Sequence, residues 1–116
     1  MDLNKDEVYL RHIIDEITFL NDKFEKLRFE ELMGDNLLQR ASIRSLEIIG
    51  EAAKNVSDAL KAEYPHVDWK KMAGLRDKLI HHYFGVDWDI VWDVVVNKIP
   101  DLKIQIMTIL EEKFNT

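Results

Sequence analysis

Three features of the chain predict an all-α fold, an up-and-down helical bundle of four to five helices. Only four glycines and two prolines occur in 116 residues. Apolar residues recur at spacings of three and four, and the strict alternation that marks a half-buried strand is absent throughout. The stretches between periodic segments are short, as expected for helices that pack as antiparallel neighbours.

Each element has its own signals. "DEVYLRHIIDEITFLNDKFEKL" places Val8, Leu10, Ile13, Ile14, Ile17, Leu20 and Phe24 near one stripe, with Asp6 and Glu7 suited to the first turn of a long helix. "RFEELMGDN" reads as a connector with room for one helical turn, in which Gly34 stops the chain and Asp35 and Asn36 cap the next helix. That second long helix is expected over "NLLQRASIRSLEIIGEAAKNVSDALKAEY", its stripe running Leu38, Ala41, Leu46, Ile49, Ala53, Val56, Leu60 until Pro65 interrupts it. Asp68 then caps a third helix, "WKKMAGLRDKLIHHYF", which ends at a left-handed Gly85. Asp87 restarts the chain into "WDIVWDVVVNKI", and Pro100 separates a final helix, "DLKIQIMTILEEKF", whose Leu102, Ile106, Ile109 and Leu110 face inward. Gly50 sits inside the second helix, where glycine costs about 1 kcal/mol relative to alanine, so another backbone is expected to pass close to it.

Bulk properties narrow the function. The length and an apolar content of 47% suit one domain over residues 1–116 with a single core. With no cysteine, disulfide frameworks and thiolate metal sites are excluded. The first residues, "MDLNKDEVYL", carry no apolar run of a secretory signal, and no later segment approaches the roughly 20 apolar residues of a membrane span, so a soluble, cytoplasmic protein is expected. A net charge of -6 argues against bulk electrostatic coating of nucleic acid, so any such contact must be local.

Chemistry concentrates in "LRDKLIHHYFG", Leu75 to Gly85. On a regular helix Arg76, Ile80 and Tyr83 share a narrow arc, and Asp77 and His81 share a neighbouring one. Arg76 and His81, five apart, point roughly 140° away from each other. They meet on one ligand only if the helix opens near His81 or if a second copy of the chain completes the site across a twofold axis. A guanidinium that forks onto phosphate oxygens and an imidazole that exchanges a proton near neutral pH suit phosphodiester chemistry, with Asp77 placed to hold the imidazole. The plainer reading is a solvated helix face with weak ion pairs.

The same residues resemble a known family. "LRDKLIHHYFGVDWDIVW" is similar to the arginine, polar residue, four-to-six spacing, histidine, any residue, tyrosine pattern of the HEPN superfamily. "RSLEIIGEAAKNVSDAL" resembles the preceding helix of its HepT-like toxins, and the likeness covers most of the chain. The resemblance implies a homodimeric endoribonuclease toxin that cleaves RNA without a metal or other cofactor. Carried over by residue, Arg76 binds and polarises the scissile phosphate and His81 acts as general acid or base for the ribose 2′-hydroxyl. Tyr83 matches the tyrosine that a partner nucleotidyltransferase, the MNT-type antitoxin, modifies with AMP, adding anionic bulk beside Arg76. Asp77 stands where the family often has asparagine, and its negative charge repels phosphate. That departure sustains an alternative, a non-catalytic helical module that binds nucleotide or a nucleotidyltransferase partner. His82 matches no functional position.

Other features have structural readings. From His66 to His82, four cations face two acids, a local +2 where the motif lies. Arg40, Arg44, Glu47, Glu51 and Lys54 are spaced for pairing along their own helix, although Glu51 also resembles a recurring family acid and is placed to border a cleft. Trp69, Trp88 and Trp92 are expected to anchor the core, with stacking on bases as the alternative. His12, His66, His81 and His82 lack the spacing of a helical metal site.

Overall fold

The structure, a computed structural model, describes residues 2–79 and 85–114. Among these there is no strand, and eight α-helices with one π-helical turn account for nearly all of them. The all-α bundle expected from periodicity is what forms, with a few more segments than four or five because two of the expected helices are broken.

Helix α1 (Asp2–Phe24) and helix α3 (Asn36–Asn55) make the principal pair. Leu10, Ile13, Ile17 and Leu20 of α1 are fully buried and meet Leu46, Ile49 and Ala53 of α3 in one core. Two polar clips fix the register. The Ser45 hydroxyl donates to Glu16 Oε1 at 2.7 Å. Near the other end, the buried Asp6 carboxylate accepts from the Ser57 amide at 2.8 Å and from the Ser57 hydroxyl at 2.6 Å. Residue 16 opposite 45 and residue 6 opposite 57 make the helices antiparallel. Between them, helix α2 (Phe29–Met33) is the single turn expected, and Asp35 caps α3 by accepting from the Leu38 amide at 2.9 Å.

The expected run from Asn36 to Tyr64 is not one helix. It breaks at Val56, whose backbone is extended, and resumes as helix α4 (Asp58–Glu63). Ser57 causes the break, since its hydroxyl donates to Asp6 while accepting from the Leu60 amide at 3.2 Å. A residue so placed satisfies the first turn of a new helix and cannot continue the old one. The apolar stripe survives because Val56 and Leu60 are both buried.

The expected third helix is also divided, into helix α5 (Trp69–Ala73) and helix α6 (Leu75–Leu79), with Gly74 between them. Asp68 occupies the cap position without accepting from a helix amide and instead pairs with Lys71 at 3.3 Å. Trp69 is a core anchor whose indole N–H donates to the Tyr64 carbonyl at 3.0 Å. Gly50 does meet another backbone, since a Cβ there would stand 3.1 Å from the Met72 carbonyl oxygen of α5.

After Leu79, the Leu79 carbonyl accepts from the Asp87 amide at 3.1 Å, and Gly85 holds φ +89°, the left-handed conformation expected of it. Asp87 caps helix α7 (Trp88–Asp93), accepting from the Ile90 amide at 3.2 Å. The coil then continues through a π-helical turn (Val94–Lys98) into helix α8 (Ile99–Phe114). Pro100 therefore does not separate two helices. The wider π turn, closed by the Ile99 amide on the Val94 carbonyl, lies directly ahead of the proline ring, where a regular coil would press it against the carbonyl of Val96. Helix α8 packs on α1 through Ile106, Ile109 and Leu110, and the Trp92 ring lies 5.7 Å from both Phe24, tilted, and Phe29, edge to face.

Candidate active site

Arg76 is the second residue of α6. Leu75 and Leu79 are buried on the inner face, so Arg76, Asp77 and Lys78 are left exposed on the outer one. Across the gap, α3 presents Glu47, whose Oε2 accepts from Arg76 Nε at 2.9 Å. The Arg76 side chain keeps 64% of its surface exposed and the Glu47 side chain 28%. A pair this open contributes at most about 1 kcal/mol to stability, so its chief effect is orientation. The carboxylate takes only the inner Nε–H and leaves the terminal amino groups, the fork that suits a phosphate, without a described partner.

Beside this pair lies a cavity of about 420 Å³ between α1 and α3, with Arg76 on its wall. Tyr9 and His12 of α1 face Arg44, Glu47, Glu51 and Asn55 of α3 across it. The stripe on α3 has the three- and four-residue spacing of one helix face, and the close approach of α5 at Gly50 brings α6 alongside it. Glu51 borders the cleft, as its family likeness suggested. The charges on this stripe do not pair along their own helix as spacing had suggested. Glu47 turns to Arg76, 29 residues away, and no described residue pairs with the side chains of Arg44 or Glu51.

Asp77 is exposed and has no partner among the described residues. His81, His82 and Tyr83 lie outside the described residues, as does any contact between Asp77 and His81. The local excess of positive charge does not form one face. Lys71 and Lys78 line a second cavity of about 400 Å³ against the π turn and α8, where Lys98 joins them and Asp68, Asp93 and Asp101 offset them.

Sequence reasoning missed Tyr9 and His12. Their signal was an aromatic and a polar residue three apart on one face of α1. Among the described residues no helix is long and apolar enough to cross a membrane.

A helical bundle with an arginine held at the edge of a polar interhelical cavity defines a class of fold and site that comparison makes specific. A sequence model of the family described as "Ribonuclease HepT-like" matches residues 13–109. The chain belongs to this HepT-like ribonuclease family, within the HEPN superfamily. It is 45% identical over 105 residues to "Putative RNase TTE0752" of Caldanaerobacter subterraneus subsp. tengcongensis, covering 90% of this chain and 94% of that one. It is 51% identical over 92 residues to "Putative RNase MJ0127" of Methanocaldococcus jannaschii, covering 79% of this chain and 73% of the relative. Against "Probable ribonuclease HepT" of Thermococcus cleftensis the identity is 44% over 95 residues, or 82% of this chain and 86% of the relative. No solved structure matches the chain significantly.

Proposed function

We propose that this chain is a metal-independent endoribonuclease toxin of a toxin–antitoxin pair, acting as a cytoplasmic homodimer. Arg76 and His81 are its catalytic pair. The observation that carries the reading is the held arginine, gripped at Nε by Glu47 with its phosphate-binding fork left open at the rim of a cavity. Family membership and relatives named as ribonucleases supply the substrate class.

In the proposed reaction the ribose 2′-hydroxyl loses its proton to a general base and its oxygen attacks the adjacent phosphorus. The bond from phosphorus to the 5′-oxygen breaks, and that oxygen takes a proton from a general acid. Arg76 stabilises the extra negative charge that builds on the phosphoryl oxygens, and His81 serves as the acid or the base. The products are a 2′,3′-cyclic phosphate and a free 5′-hydroxyl. Requiring a 2′-hydroxyl restricts the substrate to RNA. Tyr83 is the proposed site of AMP transfer by an MNT-type nucleotidyltransferase antitoxin, which silences the site by charge and volume.

Incubation of the purified protein with single-stranded RNA in excess chelator tests the reading. Cleavage is expected, and Arg76→Ala and His81→Ala should each remove it while leaving the protein folded. Cleavage that survives either substitution would reject the pair, and loss of cleavage on chelation alone would reject metal independence. Co-expression with the cognate transferase should add one AMP mass at Tyr83; an unchanged mass beside an active transferase would remove the regulatory part. One observation favours the second reading, a nucleotide-binding module without cleavage. Asp77 is exposed one residue from Arg76, where its charge opposes an incoming phosphate. Intact RNA with folded protein would leave that reading standing.

A further inference from the structure

The cavity beside Arg76 is polarised along its length. Arg44 and Glu51 lie seven residues apart on α3, a rise of roughly 10 Å, with the Glu47–Arg76 pair between them. Glu47, which holds Arg76, stands three residues from Arg44 and four from Glu51, so the Arg44 half of the cavity also carries Arg76, and the far end presents the carboxylate of Glu51. Neither Arg44 nor Glu51 has a side-chain partner among the described residues, so none of these residues competes with a ligand at either end. The antiparallel register, with residue 16 opposite 45 and residue 6 opposite 57, puts Tyr9 opposite the Glu51–Asn55 end and His12 opposite the middle. A ligand that fits must be anionic at one end, and at the other flat and rich in hydrogen-bond donors.

We infer that this cavity binds one guanine nucleotide of the substrate lengthwise, phosphate at the Arg44–Arg76 end and base at the Tyr9–Glu51 end. The volume of about 420 Å³ is within the range of small-molecule sites. Guanine is singled out by donor count. A carboxylate only accepts, and guanine alone presents two adjacent donors on one edge, its ring N1–H and its 2-amino group, which one carboxylate takes together. Adenine and cytosine present one amino group beside an acceptor nitrogen that the carboxylate repels, and uracil presents one N–H between two carbonyls. Tyr9 supplies an aromatic platform at that end, the means by which single-strand binders hold a base.

The inference rests on the ribonuclease reading for its substrate, but its test does not need cleavage. Binding of guanosine, adenosine, cytidine and uridine 3′-monophosphates to the full chain is measured by calorimetry in chelator, with thermal unfolding of each variant as the folding control. Guanosine monophosphate should bind about tenfold more tightly than the others. Glu51→Gln should erase that preference, because an amide pairs a donor against one of guanine's donors, while Arg44→Ala should weaken all four nucleotides together. Equal binding of the four, no binding at millimolar concentration, or a preference for guanine that survives Glu51→Gln overturns the assignment. Guanine preference beside uncleaved RNA would sink the ribonuclease reading alone. Cleaved RNA beside equal nucleotide binding would sink this inference alone.

Discussion

Glu47 acts on Arg76 through a single hydrogen bond to Nε, and that bond limits the rotation of the guanidinium without using its fork. If the fork must meet a phosphate in the transition state, loosening it should slow the chemical step more than it weakens binding. Glu47→Gln is expected to lower kcat by about tenfold to a hundredfold with a smaller change in KM, read from single-turnover cleavage. An unchanged kcat would reduce Glu47 to a surface pair. Tyr64 offers a second test at this scale. Burial first, then its hydrogen bond to Glu112 at 2.9 Å and the negative charges of Glu112 and Glu63, hold its phenol above the ordinary 10.0. The folded state thus keeps this proton longer than the unfolded chain does. The stability it contributes is intact below pH of about 10 and is lost as pH rises through the higher folded value. Denaturant midpoints of wild type and Tyr64→Phe should therefore converge as pH is raised past that point, and a constant difference would contradict the cause assigned. Arg76 and Asp77 stood out by residue type and position, and the family resemblance gave them their proposed roles. Glu47 was not, because local spacing offers it Arg44 and Glu51 as helix neighbours while its real partner arrives through tertiary packing.

Periodicity located the helical stretches, and polar hydrogen bonds decided where they break. Val56 and Leu60 stay on the buried stripe on both sides of the break, so apolar spacing alone could not show it. The break is written in Ser57 and Asp6, which are 51 residues apart in sequence. Asp6→Ala strips two hydrogen bonds from Ser57 and should lower unfolding stability by about 1–3 kcal/mol, with α4 exchanging its amide protons first. Pro100 misled in the opposite direction, since proline near the start of a helix is tolerated and the π turn gives its ring room. Gly50 was legible because glycine in a helix interior needs a reason, and the Met72 carbonyl supplies it. Gly50→Ala gains about 1 kcal/mol of helix propensity but sets a methyl against a backbone that must move, at about 1–3 kcal/mol. A net loss is expected in denaturant unfolding. A stabilised variant would mean that α5 yields freely.

At the scale of the whole molecule, the bundle places an arginine, a polar cavity and a short helix end on one side of the α1–α3 pair, and a second, charge-balanced cavity against α8. The proposed dimer adds what a regular helix would deny a single chain, a histidine meeting the arginine from the partner subunit. Separately inactive Arg76→Ala and His81→Ala chains, mixed and allowed to exchange, should recover about a quarter of wild-type cleavage if each site draws its two residues from different subunits, since half the dimers are mixed and each holds one intact site. No recovery, with exchange demonstrated, would place both residues of each site in one subunit. The all-α class was legible because helical periodicity persists through every break, whereas the cavity depends on which side chains α1 and α3 turn toward each other once packed.

The central claim is that the ribose 2′-hydroxyl attacks its own phosphate where Arg76 holds it. It is tested most directly by mapping a cleavage position in an RNA oligonucleotide and replacing that one ribose with deoxyribose. Cleavage should vanish there and persist elsewhere, with cyclic phosphate ends at the remaining sites. Cleavage that continues at the deoxy position, or products bearing 5′-phosphates, would contradict it.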